Sequence, residues 1–331
     1  MTDLEGMTVL VTGAAGFIGS RLVELLIQDQ VKVKALLRSG VQFPRFERPG
    51  CLPCRGDVTI PDSLIPATKD CRIIFHCAYG EGGLNEARRV NVEGTLNVLR
   101  EALKAGTRRV VFVSSIAVHG TSLPEIVHEN QPYVTQGSPY EISKAEAERS
   151  ALEFGRRNGI EVVIIRPALV YGPGSPLWTV RLLQRIKYEK ILLVGGGRGV
   201  ANLIYVDDVA REMMRAASAP DIAGEPFFSS GTDAVTWHDL LARYSQMLGK
   251  SLPASCPRWR AKLLCQKDRW GFRLAGRPVR IELFDLQSHL QTARFSMEKA
   301  ERFLSFRPEI SFSQGMEKTE DWLRRAGYLS A

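Results

Sequence analysis

The sequence predicts an α/β fold: a doubly wound parallel sheet with a smaller C-terminal domain. Short apolar runs alternate with amphipathic helical segments from residue 7 onward, which is the pattern of parallel strands joined by crossover helices. A glycine-rich turn joins the first run directly to the first helix. The length of 331 residues with 44% hydrophobic content is enough to bury a large core.

The elements follow in order. Met7 to Val11 (MTVLV) reads as the first strand, Thr12 to Gly19 (TGAAGFIG) as the turn, and Ser20 to Ile27 repeats apolar residues at helical spacing. Gly13 permits the tight turn, Gly16 lets backbone N–H groups approach a pyrophosphate, and Gly19 lets the helix pack on the strand. Phe17 and Ile18 fall in the helix's first turn, whose N–H groups face the phosphates. The spacing is GxxGxxG, and its strand and helix flanks make it a Rossmann-type dinucleotide cradle.

Val31 to Leu37 forms the second strand and ends in Arg38-Ser39-Gly40, with no Asp or Glu at the place that meets a free ribose 2′-hydroxyl. An Arg there suits a 2′-phosphate through charge-assisted bidentate bonds, so Arg38 predicts NADP(H) over NAD(H). Arg55 to Val58 (RGDV) closes the third strand; Asp57, with Val58 beside it, is placed to accept from an adenine amino group, although an Asp after Gly serves equally as a turn residue. Ile73 to Ala78 is the fourth strand, with Ala78 beneath the cofactor. Asn91 to Leu103 is an amphipathic helix, Arg109 to Val113 a buried fifth strand ending in Ser114-Ser115, and Glu161 to Arg166 the sixth, ending at Pro167. Ligands of such sheets sit at the carboxyl ends of the strands, which places Ser115, Tyr140 and Pro167 on the binding edge.

Tyr140 and Lys144, in YEISK, lie one helical turn apart. A phenol with a reference pKa of about 10 carries protons poorly at neutral pH unless a nearby cation favours its phenolate. Such a pair elsewhere is an ordinary half-exposed helix face. Downstream of a dinucleotide cradle and a Ser-Ser pair it reads as a catalytic acid/base.

With these pieces on the page, the chain resembles the extended short-chain dehydrogenases/reductases. The matching segments are TGAAGFIG, GDVT (56–59), NVEGTLNVLREA, VSSIAVHG (113–120), YEISK (140–144), RPALVYGPG (166–174) and IYVDDVA (204–210), with a tail at 303–323 similar to that family's closing segment. The resemblance implies that Tyr140 exchanges a proton with the substrate oxygen, that Lys144 lowers its pKa and binds the nicotinamide ribose, and that Ser115 hydrogen-bonds the same oxygen. It also implies a homodimer through the helices at 91–105 and 140–157, with Leu96, Leu99 and Leu103 on one side of the first.

Departures from the relatives narrow the expected reaction. Sugar-nucleotide dehydratases carry an acidic pair after the serine, where this chain has Ile116 and Ala117; nucleotide-sugar epimerases place polar phosphate ligands where it has Leu169 and Ala201. RPALVYGP looks more like the 3β-hydroxysteroid dehydrogenase and dihydroflavonol reductase branch. The leading expectation is therefore an NADP(H)-dependent ketoreductase or alcohol dehydrogenase acting on a hydrophobic, polyketide-, steroid- or flavonoid-like small molecule. A sugar-nucleotide epimerase with retained NAD and a non-catalytic dinucleotide sensor stay open, the sensor opposed by the joint presence of Ser115, Tyr140 and Lys144.

No window approaches ~18 uninterrupted apolar residues and the start is acidic, so the reading is a cytoplasmic protein without a membrane span. Six Cys include Cys51 and Cys54, without a second ligand pair at zinc spacing, so no metal is expected. The net charge of +8 concentrates partly in 258–280, where Trp259, Trp270 and Phe272 interleave with cations. Nucleic acid is not the expected partner; a lid, a membrane-surface contact or an anionic substrate each suits that segment. The Rossmann domain is expected to comprise 1–172 and 201–231, the substrate domain 173–200 and 232–331. The pocket between them is expected along Tyr79 to Leu84, His119 to Leu123, Ala168 to Tyr171 and part of 177–200.

Overall fold

A computed structural model describes residues 4–40, 46–275 and 283–329, with side chains outside 268–285. Seven parallel strands form the central sheet: β1 (Thr8–Thr12), β2 (Lys32–Leu37), β3 (Cys51–Arg55), β4 (Ile73–His76), β5 (Arg109–Val113), β6 (Glu161–Pro167) and β7 (Pro226–Ser229). Their order is β7-β6-β5-β4-β1-β2-β3. The chain winds outward from β1 to β3 and then returns to β4 on the other side of β1. That reversal opens a crevice at the carboxyl ends of β1 and β4, the place where such sheets bind ligands. In register, Thr12 stands opposite His76 and His76 opposite Phe112.

The strands alternate sides with period two, and both sides are covered. On one face Leu10, Ile74, Val110, Phe112, Val162 and Ile164 pack under helices α2 (Gly94–Lys104) and α3 (Pro139–Asn158). On the other, Val9, Val11, Phe75, Val111, Val163 and Ile165 join the core that includes Leu22 and Leu26 of Phe17–Gln28 (α1) and Val209 and Met213 of Val206–Ser218 (α4). Double-sided burial is why these strands read in sequence as continuous apolar runs.

The helix expected from Asn91 is regular only from Gly94, because Arg89–Glu93 forms a wider π turn ahead of it. A Cβ on Gly94 would lie 2.8 Å from Val58 Cγ2, so glycine lets α2 sit directly on the turn after β3. Leu99 is 1% exposed and belongs to the chain's own core, whereas Leu103 is 40% exposed.

Beyond the sheet, three short parallel ladders tie distant segments together: Leu169–Tyr171 with Leu203–Tyr205, Ile126–Val127 with Arg294–Phe295, and Leu193–Val194 with Ser255–Cys256. Among the described residues no helix is long and apolar enough to cross a membrane. None of the six cysteines is in a disulfide.

Candidate active site

The glycine turn has the geometry a dinucleotide cradle needs. Gly13 has φ +64°, and a Cβ there would lie 2.7 Å from the backbone N of Ala78. Gly19 passes so close to the Gly13 carbonyl that a Cβ on it would collide. The end of β1, the start of α1 and the Cys77-Ala78 backbone after β4 are thus drawn together. Gly16 caps α1 with extended backbone and no side-chain bond, and the helix's first turn carries no acid. The N–H groups that follow, at Phe17, Ile18 and Gly19, open the helix and so lie at the positive end of its dipole.

Arg38 is exposed just beyond β2, at the same sheet edge. Asp57 Oδ1 accepts from Thr59 N–H and Thr59 Oγ1, each at 2.8 Å, and so closes its own turn. Val58 is buried, and its carbonyl accepts from Asn97 Nδ2 at 3.0 Å. Ala78 N–H donates to Thr12 Oγ1 at 3.3 Å. Pro167 ends β6, buried and paired with Ser229.

Ser115 ends the stretch that leaves β5. Its extended backbone caps the turn Ile116–His119, and its Oγ accepts the Ala117 N–H at 3.1 Å. Beside Tyr140, the Ser115 hydroxyl acts to favour the phenolate. Ser114 is 3% exposed and its N–H is held by the Ile165 carbonyl, so the second serine of the pair is the one that meets the tyrosine.

Tyr140 is placed by a capping box. Ser138 Oγ accepts from Glu141 N–H, Glu141 Oε2 accepts from Ser138 N–H, and Pro139 opens the first turn of α3. Enclosure pushes the Tyr140 phenol up to about 12, against the pull of Ser115, with Tyr79 and Glu81 adding to the rise. Tyr79 stands edge-on to Tyr140 with ring centroids 6.3 Å apart.

Lys144 is 3% exposed. Its Nζ donates to the Val113 carbonyl at 2.7 Å and lies 4.8 Å from the Phe112 ring centroid. Burial lowers its pKa to about 8, while Glu148, one turn further along α3, acts to raise it. Ser115, Tyr140 and Lys144 therefore converge at the carboxyl end of β5.

Several participants are invisible in local sequence pattern. Asn91 is 1% exposed; its Oδ1 accepts from Gly80 N–H, and its Nδ2 donates to Gly80 O and Ser143 Oγ, which pins the loop after β4 to α3. His76 bridges Thr12 Oγ1 and Thr95 Oγ1 at 2.7 and 2.9 Å. Because Thr95 donates to Asn91 O, it accepts from Nε2, and Nδ1 accepts from Thr12. Burial lowers the His76 pKa to about 3, which keeps the ring neutral. His119, expected to line a pocket, is instead 5% exposed and held by Pro132 O and Arg166 Nη1. Tyr171 is likewise 2% exposed, edge-on to Tyr205. Leu169 is half-buried, its N–H bound to the carbonyl of Asn202, beside Ala201, which is 1% exposed. The open cleft at Glu298, Arg302 and Pro308 shares no residue with this site.

Comparison with known proteins agrees with the fold. The profile of the NAD dependent epimerase/dehydratase family matches residues 9–227, and the chain belongs to that family. It is 27% identical over 329 residues to a 2-alkyl-3-oxoalkanoate reductase of Stenotrophomonas maltophilia (strain K279a), covering 94% of this chain and 98% of the relative. It is 25% identical over 327 residues to a UDP-glucose 4-epimerase of Vibrio cholerae, covering 94% of each. Among solved structures, MoeE5 in complex with UDP-glucose and NAD superposes with a TM-score of 0.74 at 26% identity, covering 96% of this chain and 99% of that one. The protein is thus an oxidoreductase-type enzyme of the extended short-chain dehydrogenase/reductase class, built for a nicotinamide dinucleotide.

Proposed function

We propose that the enzyme is an NADP(H)-dependent ketoreductase or alcohol dehydrogenase whose substrate is hydrophobic around the reacting carbon, in the manner of the 3β-hydroxysteroid dehydrogenase and dihydroflavonol reductase branch. The observation that carries this reading is the convergence of Ser115, Tyr140 and Lys144 at the carboxyl end of β5; the apolar Leu169 and Ala201, in the slots where the related epimerases carry polar phosphate ligands, support it. The 27% identical relative, a reductase of 2-alkyl-3-oxoalkanoates by name, points the same way.

The cradle fits the dinucleotide: Gly16, Phe17, Ile18 and Gly19 would hold the pyrophosphate, Arg38 a ribose phosphate, and Asp57, Val58, Ala78 and Pro167 would border the rest. When bound, the nicotinamide supplies or accepts the hydride. The protein's part is the proton. A substrate carbonyl oxygen accepts from Ser115 Oγ and from Tyr140, whose phenol, pushed up to about 12, is protonated throughout the neutral range. Tyr140 would give its proton to the substrate oxygen as that oxygen gains negative charge, which turns the carbonyl into the alcohol. Lys144, one helical turn along α3 with its Nζ on the Val113 carbonyl, would supply a cation to the developing phenolate, but in the free protein burial raises the Tyr140 pKa and the expected lowering by Lys144 is not found.

The identity to a UDP-glucose 4-epimerase supports a second reading, in which one substrate is oxidised and re-reduced. Incubation with NADPH and a panel of 3-oxoalkanoates and cyclic ketones tests the choice. Stoichiometric loss of nicotinamide absorbance is expected; interconversion of UDP-sugars without net cofactor consumption would replace the reductase with the epimerase.

A further inference from the structure

Helix Arg258–Ala275 is oriented by its buried side, where Ala261, Cys265 and Leu264 pack with Val194, Cys256, Leu286 and Leu290. At the 100° per residue of an α-helix, Trp259 and Leu263 point roughly 160° away from Ala261 and Cys265. They are 66% and 59% exposed and, with Tyr188 at 62% and Ile126 at 59%, the most exposed large hydrophobic side chains among the described residues. Arg260, Lys262 and Lys267 flank them, and Arg258 opens the helix beside them in sequence, all exposed. No Asp or Glu occurs from 258 to 267, and among the described residues none of the four cations enters an ion pair.

This combination is costly for a face that meets only water. Trp and Leu gain nothing there, and four unneutralised cations repel one another. The same arrangement suits one environment closely: an apolar seam bordered by long basic side chains lies in the plane of a bilayer interface, with the apolar residues at the acyl boundary and the cations reaching up to lipid phosphates. An indole, apolar with one donor, partitions to that depth. RNA would use the cations and could stack on the indole, but it gives the aliphatic Leu263 no role.

We propose that the Trp259–Leu263 face docks this enzyme on the surface of an anionic lipid bilayer, with helix Arg258–Ala275 lying in the interface and not crossing it. The charge complementarity of four free cations with anionic headgroups selects this occupant. Docking there is independent of the reaction assigned to Tyr140.

Flotation of the full-length protein with vesicles tests it. Phosphatidylcholine vesicles containing about a third phosphatidylglycerol should carry the protein upward, with binding about fivefold weaker for each cation removed and weaker again at high salt. The paired variant Arg260→Glu/Lys262→Glu tests the charge, and Trp259→Ser/Leu263→Ser tests the seam. Both pairs are exposed, so thermal unfolding should match the parent protein while flotation falls at least about tenfold. Absence of flotation by the parent protein, or undiminished flotation by the Trp259→Ser/Leu263→Ser variant, would overturn the proposal. Tighter binding of a single-stranded RNA oligomer than of the anionic vesicles would overturn it in favour of nucleic acid.

Discussion

Glu148 and Arg166 form a buried ion pair, Oε1 to Nη2 at 2.5 Å, with side chains 0% and 2% exposed. Tyr133 OH also donates to Glu148 Oε1, and Arg166 Nη1 donates to Glu129 O and stands 3.1 Å from His119 Nε2. Arg166, at the end of β6, thereby joins the turn after Ser115, the loop before Tyr140 and the helix carrying Tyr140 and Lys144. Breaking a buried pair from one side costs about 3–5 kcal/mol because the other charge is left unpaired. Arg166→Met should therefore lower stability by roughly that much in a denaturant titration. A loss below about 1 kcal/mol would mean that the network is dispensable.

Glu148→Gln makes a distinct prediction through Lys144. The Lys144 pKa is lowered to about 8 by burial and is held up by the Glu148 charge. Removing that charge lowers it further, so the ammonium form is lost at a lower pH. The basic limb of the kcat profile should move toward acid in the variant; an unmoved limb would show that Glu148 acts on the fold alone.

Tyr140→Phe should reduce kcat at least about a hundredfold, the scale for losing a positioned proton donor, and leave dinucleotide binding largely intact. Ser115→Ala should lose less, because the phenol keeps its own proton. Fluorescence titration of the cofactor alongside turnover separates the two effects. Normal turnover by the Phe variant would remove Tyr140 from the mechanism.

Much of this was legible because the chemistry sits at strand ends. The apolar runs locate β1, β4 and β5, and each is followed within two residues by a candidate site residue: Gly13, Ala78 and Ser115. Helix capping by Ser138 and Glu141 is likewise a local signal that positions Tyr140. What local pattern does not encode is pairing across the sheet. Arg166 meets Glu148 from α3 and His119 from the turn after β5, so His119 reads in sequence as a pocket residue and in the structure as a buried prop. Asn91 was hidden for a related reason: the π turn at Arg89–Glu93 ahead of Gly94 breaks the simple helical periodicity from which the segment was read.

Arg38 is exposed just beyond β2, and the sequence Arg38-Ser39-Gly40 there holds no acid. The protein should bind NADPH more tightly than NADH, and Arg38→Asp should reverse the order by removing a charged phosphate contact and adding an acceptor for a ribose hydroxyl. Equal affinities of the unmodified protein for the two cofactors would reduce Arg38 to a surface charge.

The homodimer proposed through α2 and α3 now rests on less apolar surface than the sequence offered, since Leu99 faces the chain's own core and only Leu103 and the half-buried Leu96 remain outward. Sedimentation at micromolar concentration should still show a dimer that Leu103→Glu dissociates. A monomer of the unmodified chain would refute the interface.

The sharpest division between reductase and epimerase lies at Leu169 and Ala201. The Leu169 N–H is bound to the carbonyl of Asn202, and Ala201 is buried with its N–H bound to Val235 O, so these two backbone donors are already used. A sugar pyrophosphate arriving there would trade water for apolar surface, and an unpaired charged group loses several kcal/mol on such a transfer. The purified protein should therefore show no thermal stabilisation by UDP-glucose, release its dinucleotide on desalting, and consume added NADPH with a carbonyl substrate. A reductase must exchange cofactor in every cycle, whereas an epimerase must keep it. Saturable stabilisation by UDP-glucose together with dinucleotide that survives desalting would move the protein to the epimerases.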